Sequence, residues 1–303
     1  MTSPERAGVV GRLRELAGIV APTTLVAALL FYFGYVATRS RFEYFGVYLD
    51  VADLSNQSLL LYGLEVVYVP AALAFLAVLL IVAAHGLVSW LVGEAARDPV
   101  SLLVALGLGL TGLLLLGRAL VGMFVPSIEE HEAVPGTTAL ALAAGPALLA
   151  YAVWIASRVA QGKPADGPPR LLAWLAGDSA ARLRYGALAC VLALAVAGLF
   201  WAANEFAWAY GAGRAYDDAL HMRDRPAVIL ETKDPLTGPL PGVTETDLAG
   251  RKDETYRYRY EGLRLLVAAG GRLFLVPERW VAASRTAVVP YDDGVRMQLA
   301  PTR

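Results

Sequence analysis

Four residues stand out because they carry a charge or a titratable ring where the chain around them is apolar: Glu65, His85, Arg118 and Glu205. A charge placed in hydrocarbon is costly, so one found there has a partner or lines a polar path. On the helices read below, Glu65 opens the second span, Arg118 lies near the end of the third and Glu205 near the end of the fifth. That order puts one guanidinium between two carboxylates at similar depth. Two uses fit it: an intramembrane ion-pair network that pins a bundle, or a polar vestibule for an ion or small solute. His85 sits inside the second span toward the opposite face. Its imidazole can titrate near neutrality, although a hydrogen bond to a neighbouring helix is its ordinary use.

The remaining motifs read as structure. Gly107-Leu-Gly109-Leu-Thr-Gly112 matches the dinucleotide pattern letter for letter, but that motif must follow a strand and open a helix into water. Within an apolar span, small residues that let helices approach closely are the better account. Glu129-Glu130-His131-Glu132 could bind a divalent cation weakly, yet a solvated acidic loop is the ordinary reading. The alternation Tyr256-Arg-Tyr-Arg-Tyr260 could stack on bases or sugars, or form a cross-strand aromatic ladder; the ladder is preferred. Three histidines in no ligand spacing argue against a zinc site. The lone Cys190 permits no disulfide within the chain. No catalytic residue, metal or cofactor is expected, and a pI near 6.3 leaves no basic footprint for nucleic acid.

The elements that position these residues follow from composition. Only 17% of the 303 residues are charged, against about 25% in soluble domains. The shortage is confined to residues 16–210. A span needs about 20 apolar residues, and five stretches supply them: 16–37, 66–92, 100–125, 137–157 and 185–208. Tyr and Trp near their ends (Tyr32, Tyr35, Tyr68, Trp90, Trp154, Trp201, Trp208) suit interfacial belts. The first stretch follows Arg6, Arg12 and Arg14 but exceeds a signal peptide's apolar run, so a retained signal-anchor is expected. Lysine and arginine near the span ends number nine on the N-terminal side and two on the other. The positive-inside bias therefore predicts a cytoplasmic N-terminus and an outer C-terminus.

Outside the spans, residues 39–62 mix aromatics with acids and suit an ordered turn or short helix, with Asp53 or Ser55 capping the helix that follows. The loop 158–184 suits a short amphipathic helix around Leu171–Leu175. After residue 210 the chain has ordinary soluble character. Residues 211–225 read as a helical extension, and 226–303 as about five short strands in a compact sheet or small barrel. Gly270-Gly271 and Asp293-Gly294 mark two hairpins, and 234–250 reads as a loop. The expected fold is thus a membrane all-α bundle of about five transmembrane helices (1–210) with a small C-terminal β-rich extracytoplasmic domain.

Tyr32-Phe-Gly34, Arg39, Tyr44-Phe-Gly46, Asp53-Leu-Ser-Asn-Gln57, Tyr258-Arg-Tyr-Glu-Gly-Leu-Arg-Leu-Leu266, Phe274-Leu-Val-Pro277, Trp280 and Asp292-Asp-Gly-Val-Arg296 resemble a group of uncharacterised multi-pass membrane proteins of high-GC Gram-positive bacteria. The resemblance implies a bacterial plasma membrane and supplies no activity. The expected role is a non-enzymatic membrane protein whose outer β domain binds a protein partner or envelope ligand. An oligomeric ion channel or small-solute transporter, a homo-oligomer lined by Glu65, Arg118 and Glu205, is the alternative.

Overall fold

The computed structural model describes residues 4–94, 99–125, 132–161, 181–238, 240–249, 255–281 and 283–301. The helices are α1 (Pro4–Tyr44), α2 (Leu49–Ala52), α3 (Asn56–Glu94), α4 (Pro99–Phe124), α5 (Thr137–Gln161) and α6 (Ala181–Leu220). Among the described residues, a 3-10 turn at Met222–Asp224 leads into six strands: β1 (Ala227–Thr232), β2 (Thr244–Asp247), β3 (Tyr258–Ala269), β4 (Arg272–Pro277), β5 (Ala287–Pro290) and β6 (Val295–Ala300). The chain is therefore mostly helical and ends in an antiparallel sheet.

Among the described residues, four helices are long and apolar enough to cross a membrane: Asn56–Trp90, Val100–Phe124, Thr137–Val159 and Leu183–Leu220. The remaining expected span, 16–37, lies within α1, whose side chains are described from Thr23 onward. The apolar stripes are turned outward: Phe75 is 77% exposed, and Leu79, Ile81 and Val82 beside it are exposed too. Contiguous apolar surface of that extent is rare on soluble monomers and marks an interaction or membrane-facing surface.

The chain folds as two compact units, one of residues 1–67 with 207–303 and one of residues 68–206. This division differs from a boundary near residue 210. In the second unit α4 and α5 pack backbone to backbone: a Cβ on Gly112 would lie 2.9 Å from the Gly145 carbonyl oxygen and 2.9 Å from the Leu149 nitrogen. The Gly107–Gly112 run is thus a packing surface at its last glycine, whereas Gly107 faces open space. On α6, Gly198 gives the same close approach to Ala139 and Ala143.

In the first unit, Gly34 of α1 and Gly63 of α3 pass so closely that a side chain on either would overlap the other helix's backbone, and Gly211 of α6 meets Ala37 in the same way. The end of α1 also meets the end of α6. Ser40 Oγ donates to the Trp208 carbonyl (2.8 Å), and Arg41 Nε donates to Asp218 Oδ2 (2.7 Å). Ser55 Oγ accepts the Ser58 N–H (3.2 Å), which makes Ser55 the cap of α3. Asp53 instead takes a left-handed conformation, with φ of 46°.

The sheet runs β5-β4-β3-β1-β6, with β2 also paired to β3. Three readings change here. The runs at Tyr256–Tyr260 and Leu263–Ala268 are one strand, β3, bent at Gly262 (φ +89°) and at a second irregularity between Leu265 and Val267; bulges bend and twist a strand. The expected loop 234–250 contains β2. The Asp293-Gly294 turn does not close a hairpin, because β5 pairs with β4 and β6 with β1. In contrast, Gly270 (φ +56°) and Gly271 (φ +68°) do close the β3–β4 hairpin, both in the left-handed conformation that a type I′ turn requires.

The β5–β6 connection requires the sheet to coil. By the pairing registers, Pro290 lies level with Ala269, and Val295 level with Tyr258 on the opposite edge. A flat sheet would separate them by roughly 40 Å at ordinary strand spacing and rise, while five residue steps reach about 17 Å. Backbone bonds fasten this connection at both ends, Tyr291 N–H to Gly271 O (2.9 Å) and Lys233 N–H to Gly294 O (3.1 Å).

Coiling gives the sheet two apolar faces. Val228, Leu230, Tyr260, Leu263, Leu273, Leu275 and Val289 fill the interior. Phe274, Val276 and Leu266 point the other way, into a core shared with Phe42, Phe45, Val47, Leu49, Ala52, Leu59, Ala215 and Met222. Alternation with period two sends successive β4 residues to different cores, which is why Leu273–Pro277 is buried throughout.

Candidate functional site

The site begins at the end of α1. The Val47 N–H bonds the Phe42 carbonyl (3.0 Å) and the Gly46 N–H bonds that of Glu43 (2.9 Å), with Gly46 at φ +70°. This is the Schellman arrangement, in which a left-handed glycine stops the helix and satisfies its last carbonyls. The turn drives Phe45, 1% exposed, into the shared core. Its ring makes edge contacts with Tyr44 (centroids 5.2 Å apart) and Trp280 (5.0 Å).

Trp280 belongs to the connection between β4 and β5. That segment is folded on itself, Val281 N–H to Ser284 Oγ (2.9 Å) and Ser284 N–H to Val281 O (2.8 Å). Thr286 Oγ1 donates to the Phe45 carbonyl (2.6 Å), which fastens the segment to the end of α1. Its start is held where Glu278 pairs with Arg223 (3.0 Å) and Arg264 (3.4 Å).

Between these two segments lies an open cleft of about 680 Å³, lined by Glu43, Tyr44, Gly46, Trp280, Arg285 and Thr286 among others. Small-molecule sites typically occupy roughly 300–1,000 Å³. Glu43 already has a partner in Arg39 (2.7 Å). The hydrogen bond and charge of Glu43 hold the Arg39 guanidinium still more firmly protonated than usual. Arg285 is exposed, and among the described residues no carboxylate pairs with it. The lining thus offers one uncommitted cation, aromatic surfaces and hydroxyl groups. Among the described residues of the lining there is no histidine or cysteine.

The residues singled out from the sequence fall elsewhere. Glu65 accepts a hydrogen bond from the Tyr210 hydroxyl (2.6 Å) and pairs with Arg214 (3.4 Å), beside a small crevice that Arg41 and Thr38 also line. Arg118 donates to Glu132 Oε1 (2.9 Å). Glu132, 3% exposed at the side chain, also accepts the N–H groups of Thr137 and Thr138 (2.9 Å each) and the Thr138 hydroxyl. It is both ion-pair partner and cap of α5. Glu205 is half-buried on α6. His85 Nδ1 lies 2.9 Å from the Tyr151 hydroxyl, its ring packed near Tyr151 and Trp154, with Arg158 over the Trp154 ring at 5.3 Å.

The acidic run contributes Glu132, while Glu129, Glu130 and His131 lie outside the described residues, as do Leu171–Leu175. Among the described residues no three of His, Cys, Asp and Glu converge as a metal site. Tyr260 is buried and its hydroxyl accepts the Leu236 N–H (2.8 Å); burial pushes its phenol pKa up. It is a core residue and not a stacking platform. Sequence reasoning did not find the cleft, because its halves are more than 230 residues apart and neither carries a motif.

No protein family model matches this chain, and neither curated proteins nor solved structures yield a match.

Proposed function

We propose that this chain is an integral membrane protein of five transmembrane helices in a bacterial plasma membrane, with the N-terminus cytoplasmic and the sheet outside. In this reading it is a non-enzymatic binding head: the coiled sheet, seated on the helix ends, presents the cleft to a ligand or partner in the cell envelope. The observation that carries the reading is the shared core. Phe274 and Val276 of β4 are buried with Phe42 and Phe45 of α1 and Ala215 of α6, so the head is fixed to its anchor and not tethered by a linker.

The placement of the sheet on the side opposite the N-terminus draws support from the same unit. The ends of α1 and α6 meet through Ser40–Trp208 and Arg41–Asp218, which requires an even number of crossings between them; α3, α4, α5 and α6 supply four. An oligomeric channel draws less support, since Glu65 and Arg118 have close partners of opposite charge in Arg214 and Glu132.

Two measurements test the reading. A cysteine introduced at Ser284 should react with a membrane-impermeant maleimide on intact cells; reaction only after permeabilisation overturns the orientation. A photoreactive residue at Val281, in the cleft, should trap a discrete adduct that the same residue at Lys233 does not. Equal trapping at both positions, or at neither, counts against a binding head.

A further inference from the structure

We propose that the cleft takes an anionic saccharide, a sugar unit bearing a carboxylate or phosphate, with the acid held by Arg285 and the ring faces against Tyr44 and Trp280. This assignment rests on the binding-head reading and specifies its ligand.

The charge argument comes first. A guanidinium is a planar fork of donors that fits carboxylate and phosphate in two-point contact. Arg285 is exposed, lines the cleft and has no carboxylate partner among the described residues. Glu43, the acid in the lining, is already engaged by Arg39, so the cleft's uncommitted charge is positive.

The aromatic argument is independent of charge. A pyranose ring has a face of C–H bonds that packs on an aromatic surface, and a perimeter of hydroxyls that needs hydrogen bonds. Tyr44 and Trp280 supply such surfaces, and their positions are set by edge contacts with the buried Phe45. They need not be ordered when a ligand arrives, which removes an entropic cost of binding.

The polar inventory fits a polyol. Thr286 Oγ1 donates its hydrogen to Phe45 O and retains lone pairs to accept a sugar hydroxyl. Ser284 Oγ accepts the Val281 N–H and keeps its own hydrogen to donate. The Glu43 oxygen not held by Arg39 can accept another.

Other ligand classes fit less well. A nucleic acid strand needs a row of cations along its backbone, whereas the described lining of the cleft supplies Arg285 alone. A bare phosphate would leave most of a 680 Å³ cleft empty. An acyl chain prefers a closed apolar tunnel, whereas this cleft is open and mixed.

The same chemistry could arrive on a soluble glycan or on a lipid-linked sugar phosphate, and the experiment separates them. Full-length protein in nanodiscs of phosphatidylcholine is titrated calorimetrically with tri-galacturonic acid, glucose 1-phosphate and neutral maltotriose. A second preparation carries a lipid-linked sugar phosphate in the disc, and a third carries phosphatidylglycerol. At least one acidic saccharide should bind tenfold or more tighter than maltotriose. Arg285→Gln should lose that margin with no change in unfolding, and Tyr44→Leu should weaken acidic and neutral sugars alike. Occupancy only by the embedded glycolipid identifies the membrane as the source and supports the assignment. Equal affinity for maltotriose, indifference to Arg285→Gln, preference for phosphatidylglycerol over every saccharide, or no binding at all would overturn it. Trapping at Val281 that persists while every saccharide fails would remove the ligand class and leave the binding head standing. Both faces of a nanodisc are accessible, so the result does not depend on orientation.

Discussion

Replacing Phe45 with alanine separates a sheet that is fixed to its helices from one that merely follows them. Phe45 is 1% exposed, packs edge-on against Tyr44 and Trp280, and shares its core with Phe274 and Val276 of β4. Truncating a fully buried phenylalanine costs about 3–5 kcal/mol, of which the two edge contacts account for about 0.5–1.5 kcal/mol each. With a central value of about 4 kcal/mol, and 1.4 kcal/mol per factor of ten, amide exchange through unfolding of this core should quicken about a thousandfold. Hydrogen exchange on the full-length protein in nanodiscs, read by mass spectrometry, follows peptides covering residues 42–52 and 272–277 separately. Both should lose protection by similar factors. If residues 42–52 loosen while β4 keeps its protection within about threefold, the sheet folds alone and the shared core is not what holds it.

Gly112→Leu should separate α4 from α5 and cost about 1–3 kcal/mol by overpacking, whereas Gly107→Leu, facing open space, should cost little; unfolding in mixed detergent compares the two directly. Equal costs would refute the close packing at Gly112. Glu132→Gln keeps the shape of the α5 cap but removes its charge, leaving Arg118 without its carboxylate. Charge-assisted hydrogen bonds contribute about 1.5–3 kcal/mol each, so a loss of at least about 2 kcal/mol is expected in the same assay. His221 lies at the end of α6, where the Asp217 backbone carbonyl and then its carboxylate raise the imidazole pKa. Because the folded value is the higher one, this contribution is complete below about pH 6.5 and fades as pH rises through the folded value. An NMR titration should place the midpoint above that of a free histidine, and Asp217→Asn should lower it part of the way; an unmoved midpoint would remove the carboxylate's share.

How much of this was legible in the sequence depended on the range of the forces involved. Four of the five long apolar runs declared themselves as helices long and apolar enough to cross a membrane, since such a run needs no partner to be recognised. Gly270-Gly271 was equally plain, because a type I′ turn is set by two adjacent residues. The turn at Asp293-Gly294 looked the same locally but joins strands from opposite edges, and nothing in residues 288–297 encodes that β1 and β4 take the pairing. β2 was hidden because Thr244–Asp247 is exposed throughout and carries no apolar alternation. The sequence marks Arg118 as needing a partner, yet Glu132 reads there as part of a solvated loop; its role as a helix cap depends on Thr137 and Thr138 being presented to it. The cleft had no local signature at all. Trp280 and Arg285 become notable only when the chain brings Tyr44 beside them.

The placement of Phe45 against Trp280 and Phe274 also sets a clock on biosynthesis. About 230 residues separate Phe45 from Phe274, and at roughly 5–20 residues per second the ribosome needs on the order of ten to forty-five seconds to deliver the second after the first. Throughout that interval Phe42, Phe45, Val47 and Leu49 lack the β3 and β4 neighbours Leu266, Phe274 and Val276 that complete their core. A stall or truncation anywhere before β4 would leave that core open, a ready mark by which quality-control proteases could recognise an unfinished copy.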